Sequence, residues 1–122
     1  MPRSKYFAPG EFRRCVPSCD ISQMDPSFLD ALDRVREKAG IPLLLNSAYR
    51  SRSYELKMGR SGNSAHTKGK AADIRCNASA TRMRLVRAAL DCGIRRIGIG
   101  KTYVHLDTDD TLPQDVIWDY YA

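Results

Sequence analysis

Hydrophobic positions along the 122-residue chain follow two periods, and each marks its own kind of element. Phe28, Leu32, Val35 and Ala39 recur at helical spacing, while Asp30, Asp33, Arg34, Glu37 and Lys38 cover the other side. Asp25 stands before them as an N-cap whose carboxylate accepts free backbone N–H groups, and Pro26 suits the first helical position. Gly40 follows as a left-handed stop. This pattern predicts a core-packing helix ending at Ala39. A second helix is expected to be capped by Ser79 and to run through Asp91, with Met83, Val86 and Leu90 as its apolar positions and Gly93 as its stop. Arg82, Arg84 and Arg87 give that helix a solvated basic face.

The shorter segments read as strands. Residues 41–45 are a continuous apolar run with a flanking proline, which predicts a largely buried strand. Residues 71–76 alternate, with Ala72 and Ile74 on one face and Asp73 on the other. Residues 94–100 and 103–107 predict a β-hairpin that turns near Gly100 and Lys101. Val104 and Leu106 then face the core, and Tyr103, His105 and Asp107 share the opposite face. Residues 116–121 are expected as a closing strand or aromatic anchor, 53–58 as a short helix, and 108–114 as loop. The glycines of 59–63 make a flexible approach to His66. Residues 1–24 lack a period and carry turn formers, so they are expected as an irregular N-terminal arm with a short helix around 10–14. Together these elements predict one α+β domain over 1–122, with two main helices packed on a small, mostly antiparallel sheet.

Composition narrows the partners more than the fold. Apolar residues make up 43% of the chain and charged residues 28%, values that suit a folded globular domain. Twenty Lys and Arg against 14 Asp and Glu leave a net charge of +6, which favours polyanionic partners such as nucleic acid, anionic wall polymers or membrane surfaces. A nucleic-acid binder using Arg82, Arg84 and Arg87 is therefore one reading, but no nucleic-acid motif accompanies the charge, so nucleic acid is not expected as the partner. No apolar run approaches the roughly 18 residues that span a bilayer, and membrane insertion is not expected. The basic N-terminus lacks a following apolar region, so no secretory signal is expected and synthesis in the cytoplasm is. Cys15, Cys19, Cys76 and Cys92 do not make paired metal spacings and are expected as ordinary thiols, with a disulfide as the next reading.

The chemistry concentrates in the chain's two histidines. His66 lies seven residues before Asp73 across a loop containing Gly69, and His105 sits on the polar face of the hairpin. Two imidazoles and one carboxylate are the donor set of a catalytic zinc site that keeps a fourth position open. Asp73 and His105 each project from the polar face of a predicted strand, so neighbouring strands would bring all three side chains together. Spacing alone leaves open that the histidines are merely surface or hydrogen-bonded residues.

The surrounding residues sharpen this. Ser64-x-His66-x-x-Gly69-x-Ala71-x-Asp73 resembles the signature of the zinc D-Ala-D-Ala carboxypeptidase and endolysin group, the M15-type peptidases that share a fold with the hedgehog signalling domain. Ser47-Ala48-Tyr49-Arg50-Ser51 is similar to the family's Ser-Gly-Tyr-Arg-Ser segment, and Tyr103-Val104-His105-Leu106-Asp107 to its terminal His-containing strand. The likeness covers residues 26 to 107 in order and spacing.

The resemblance implies one zinc ion per chain held by His66, Asp73 and His105. It implies that Arg50 binds a carboxylate or carbonyl of a peptide, against the plainer reading of a structural salt bridge. It places Ser64 beside the metal as a substrate contact or loop-shaping residue, and gives Gly69 the tight turn between ligands. Many members have an acidic residue three positions before the last histidine, where this chain has Thr102. Asp107 is the replacement expected as general base; it is equally placed to hold an imidazole N–H, and Glu55 and Asp109 stand behind it as bases. The activity implied is hydrolysis of a peptidoglycan stem or cross-link bond next to a D-amino acid, by a monomer reaching the cell wall, for instance after phage holin release. The competing reading is an inactive zinc- or peptidoglycan-binding module.

Overall fold

The computed structural model describes residues 3–120. Four helices, α1 (Pro9–Arg13), α2 (Pro26–Ala39), α3 (Arg52–Lys57) and α4 (Ser79–Asp91), accompany five strands. These are β1 (Leu45–Ser47), β2 (Ala71–Arg75), β3 (Arg96–Ile99), β4 (Tyr103–Asp107) and β5 (Val116–Asp119), in the sheet order β1-β2-β4-β3-β5. The β1-β2, β2-β4 and β3-β4 pairs are antiparallel, and only β5 runs parallel to its neighbour β3. The expected α+β fold with a mostly antiparallel sheet is present.

The long helices cover one face of that sheet. Asp25 caps α2 by accepting the Phe28 N–H at 2.9 Å, and Gly40 ends it at φ 67°. Phe28, Leu32, Val35 and Ala39 are buried as their spacing predicts, and meet Ile97, Val104 and Leu106 in one core. Each such large apolar side chain taken out of water contributes about 1.5–3 kcal/mol.

Three expectations need correcting. The strand near Pro42 starts later, at Leu45: proline offers no N–H to a ladder, and Leu44 points outward at 60% exposure. Ala78, not Ser79, is the N-cap residue of α4, and no side chain caps that end. The buried face of α4 is Leu85, Ala88 and Ala89, whereas Met83 and Leu90 are exposed. Leu85, Ala88 and Ala89 also have helical spacing, and the two alanines allow α4 to approach α2 closely; a pattern drawn through the larger side chains picks the wrong face.

The N-terminal segment is also more than an arm. Phe7, Phe12, Cys15, Ile21 and Met24 are all buried in the core. Asp33 on α2 draws the segment in by accepting from Ser4 Oγ at 2.6 Å and from the backbone N–H groups of Lys5 and Tyr6. The closing strand is β5; Tyr121, the last residue of the expected element, lies outside the described residues. All four cysteines are free thiols, three of them buried. No helix among the described residues is long and apolar enough to cross a membrane.

Candidate metal centre

The face of the sheet away from the helices carries the polar residues of β2 and β4. Asp73 and His105 are direct partners in the β2–β4 ladder, while Ala72, Ile74, Val104 and Leu106 point into the core. His66 arrives from a single 3-10 turn, Ala65–Lys68, that Gly69 ends at φ 69°. A side chain at Gly69 would strike the backbone of Gln23 and Asp25, and the Gly69 carbonyl accepts the Asp25 N–H at 2.9 Å. The His66 turn is thereby fastened to the start of α2, as the tight-turn expectation for Gly69 requires.

Three donor atoms converge. His66 Nε2 lies 3.3 Å from His105 Nδ1 and 3.4 Å from Asp73 Oδ1, and His105 Nδ1 lies 2.9 Å from Asp73 Oδ1. Ligands about 2.0–2.1 Å from a tetrahedral zinc stand about 3.4 Å apart, so these separations match the expected ion. The outer nitrogens agree. His66 Nδ1 faces the Ala48 carbonyl at 2.6 Å, which can only accept, so Nδ1 carries a proton there and Nε2 is the nitrogen turned inward. His105 Nε2 faces Asp107 Oδ2 at 2.6 Å, which leaves Nδ1 as its ligating atom. Two imidazole nitrogens and a carboxylate oxygen turned toward one another can hold a cation between them. Zinc fits this donor set.

The electrostatics follow from the same contacts. Burial pushes the Asp73 carboxyl up, but hydrogen bonds to His105 and His66 and their charges hold it well below the usual carboxylate range. Burial pulls His105 down, yet hydrogen bonds to Asp107 and Asp73 and the two negative charges raise it above the usual imidazole value.

Around the three donors is a cleft of about 330 Å³ lined by Arg50, Arg60, Ser64, Tyr103, Trp118 and Tyr120 among others. Arg50 lines this cleft and also forms an ion pair: its Nε donates to Glu55 Oε2 at 3.1 Å, and Nη1 lies 3.9 Å from Asp73 Oδ2. Ser64 Oγ donates to the same Glu55 oxygen at 2.5 Å. Burial raises Glu55, but the Ser64 hydroxyl and the Arg50 charge outweigh it and keep the carboxyl below its ordinary value. The structure therefore brings Arg50 and Ser64 to the cleft beside the three converging donors, joined by a buried glutamate.

Asp107 is engaged on both oxygens. Oδ2 meets His105, and Oδ1 accepts from Arg96 Nε at 2.7 Å and from the Asp109 N–H at 3.1 Å. This geometry supports the holding role for Asp107 over that of a base. Asp109 is fully buried and paired with Lys68 Nζ at 2.7 Å, outside the cleft lining. Thr102 is exposed just before β4. Arg96, Trp118 and the Ala48 carbonyl are the partners that sequence reasoning missed. Arg96 was not readable from the expected turn: a hairpin turning at Gly100 and Lys101 would set Arg96 opposite His105, whereas the chain turns one residue later, at Lys101 and Thr102, and pairs Arg96 with Asp107. The Ala48 carbonyl and Trp118 carry no local signal.

The basic face of α4 is divided. Arg82 Nη2 turns back to the Lys101 carbonyl at 3.2 Å, while Arg84 and Arg87 line a shallow hollow beside Lys38.

Two imidazoles and a carboxylate, one from a turn and two from paired strands, thus form a group beside a cleft that could hold a single metal ion. The Peptidase M15 family model matches residues 5–107, and the chain belongs to that family of zinc-dependent metallopeptidases. No curated protein matches the chain. The matched residues include every donor and stop at Asp107, before the loop and β5 that complete the cleft.

Proposed function

We propose that the chain is a zinc peptidase that hydrolyses a peptidoglycan stem or cross-link peptide bond next to a D-amino acid. The observation that carries this reading is the convergence of His66 Nε2, Asp73 Oδ1 and His105 Nδ1 within 3.4 Å of one another beside a substrate-sized cleft. Membership of the M15 family supports the peptide substrate and its source in the wall.

When bound, zinc supplies a Lewis acid that polarises the scissile carbonyl and lowers the pKa of a water molecule. His66, Asp73 and His105 hold it. Arg50 presents a fixed guanidinium to a carbonyl or carboxylate of the peptide, steadied by Glu55 and Asp73, and Ser64 borders the same approach. The aromatic rings of Tyr103, Trp118 and Tyr120 line one flank of the cleft. Asp107 keeps the His105 tautomer.

A second reading, a zinc- or peptidoglycan-binding module without turnover, draws on Thr102 and on the double engagement of Asp107, since among the described residues the carboxylates lining the cleft, Asp73 and Asp107, are both engaged. Zinc-loaded protein incubated with defined peptidoglycan fragments decides between them. Release of new amino groups supports the peptidase; retained binding without cleavage supports the module.

A further inference from the structure

A single row of positions crosses all five strands: Ser47, Asp73, His105, Gly98 and Trp118 are successive partners on β1, β2, β4, β3 and β5. Gly98 is the gap in that row. A β-carbon there would sit 2.8 Å from Trp118 Nε1 and from Tyr120 Cε2, so only glycine lets the Trp118 ring lean across β3. It reaches His105, with ring centroids 5.4 Å apart. The Arg96 guanidinium lies 4.8 Å from the Trp118 ring centroid and donates to Asp107, which in turn holds His105 Nε2. The contacts close on themselves: His105 to Asp107, Asp107 to Arg96, Arg96 to Trp118, Trp118 to His105.

The loop before β5 reinforces this circuit. Arg96 Nη1 donates to the Pro113 carbonyl at 2.6 Å, and Lys68, on the same turn as His66, bonds Asp109 and Thr111. Residues 108–120 therefore brace the neighbourhoods of both histidines, although they lie beyond the part of the chain that matches the family.

We propose that this segment is a clamp that fixes the His105 ring with Nδ1 toward Asp73, and that Trp118 and Arg96 are its positioning residues. The clamp sets metal affinity without contributing a ligand. It rests on the zinc reading above, and the experiment separates the two. In the metal-free protein, imidazole ¹⁵N NMR of the wild type is expected to show a protected His105 Nε2 proton bonded to Asp107. Trp118→Ala and Gly98→Ala are expected to lose that protection, and Trp118→Phe to restore part of it. In the same variants zinc affinity, measured by competition with a chromophoric chelator, is expected to fall about ten-fold or more, as for other groups that orient a ligand. The Co²⁺ absorption bands are expected to shift as the Nδ1 geometry relaxes. Folded Trp118→Ala and Gly98→Ala proteins with wild-type Nε2 protection overturn the clamp whatever the metal result. A wild type that keeps the protected proton yet binds no zinc overturns the peptidase reading and leaves the clamp standing. If Trp118→Ala does not fold, Trp118→Phe and Gly98→Ala decide.

Discussion

Asp73 and His105 face each other across the β2–β4 ladder, Oδ1 to Nδ1 at 2.9 Å, so one cross-strand pair supplies two of the three converging donors. Strand pairing fixes their separation more tightly than loops would. His66→Ala, Asp73→Ala and His105→Ala are each expected to reduce zinc content from one equivalent to a small fraction, measured by elemental analysis after dialysis. Full occupancy in any of the three would remove that residue from the ligand set.

Zinc is expected to stabilise the fold, because it joins a turn to two strands and has no comparable site in the unfolded chain. At free zinc a hundred times the dissociation constant the gain is about 2.7 kcal/mol. Thermal unfolding with added zinc and with excess chelator measures it, and superimposable curves would contradict the site.

The roles open to Asp107 separate by substitution. If Asp107 holds the His105 tautomer, Asp107→Ala weakens zinc binding by about 10–100-fold. A loss of kcat at unchanged zinc affinity would instead restore it as the general base.

Gly69→Ala is expected to destabilise the protein by about 1–3 kcal/mol or more, since the left-handed backbone strains a side chain and the methyl group meets the Gln23 and Asp25 backbone. Urea denaturation measures the loss. Zinc affinity should fall with it, because the same collision pushes on the His66 turn.

Acid should act through Asp109. Burial raises its carboxyl, but hydrogen bonds from Lys68 and Thr111 and the Lys68 charge bring it below the ordinary value of 3.8. A carboxyl lowered on folding contributes stability above its unfolded pKa, and that contribution disappears as pH falls through the folded value. Stability is therefore expected to drop as pH falls below 3.8, with a shallower drop in Asp109→Asn, followed by urea midpoints across that range.

Those elements whose causes are local were legible in the residues. Asp25, Pro26 and Gly40 bracket α2 because capping and left-handed stops act over a few residues. The alternation of β2 and β4 placed Asp73 and His105 on one face, since side chains alternate in any strand. What could not be read depended on distant packing. The buried side of α4 turns on two alanines that hydropathy weights lightly. The 1–24 segment has no period because its apolar residues enter the core from turns rather than from one regular face. The contacts that orient the donors join distant segments: the Ala48 carbonyl meets His66 only once the segment after β1 lies beside the His66 turn, and Trp118 meets His105 only once β5 lies beside β3.

Trp118 is the only tryptophan in the chain, and it lies against His105. The protein thus carries an optical reporter beside the candidate metal centre: indole emission from the intact molecule originates at that one place. Quenching by a paramagnetic ion, or a spectral shift as a peptide enters, would follow events in the cleft in real time and without a label.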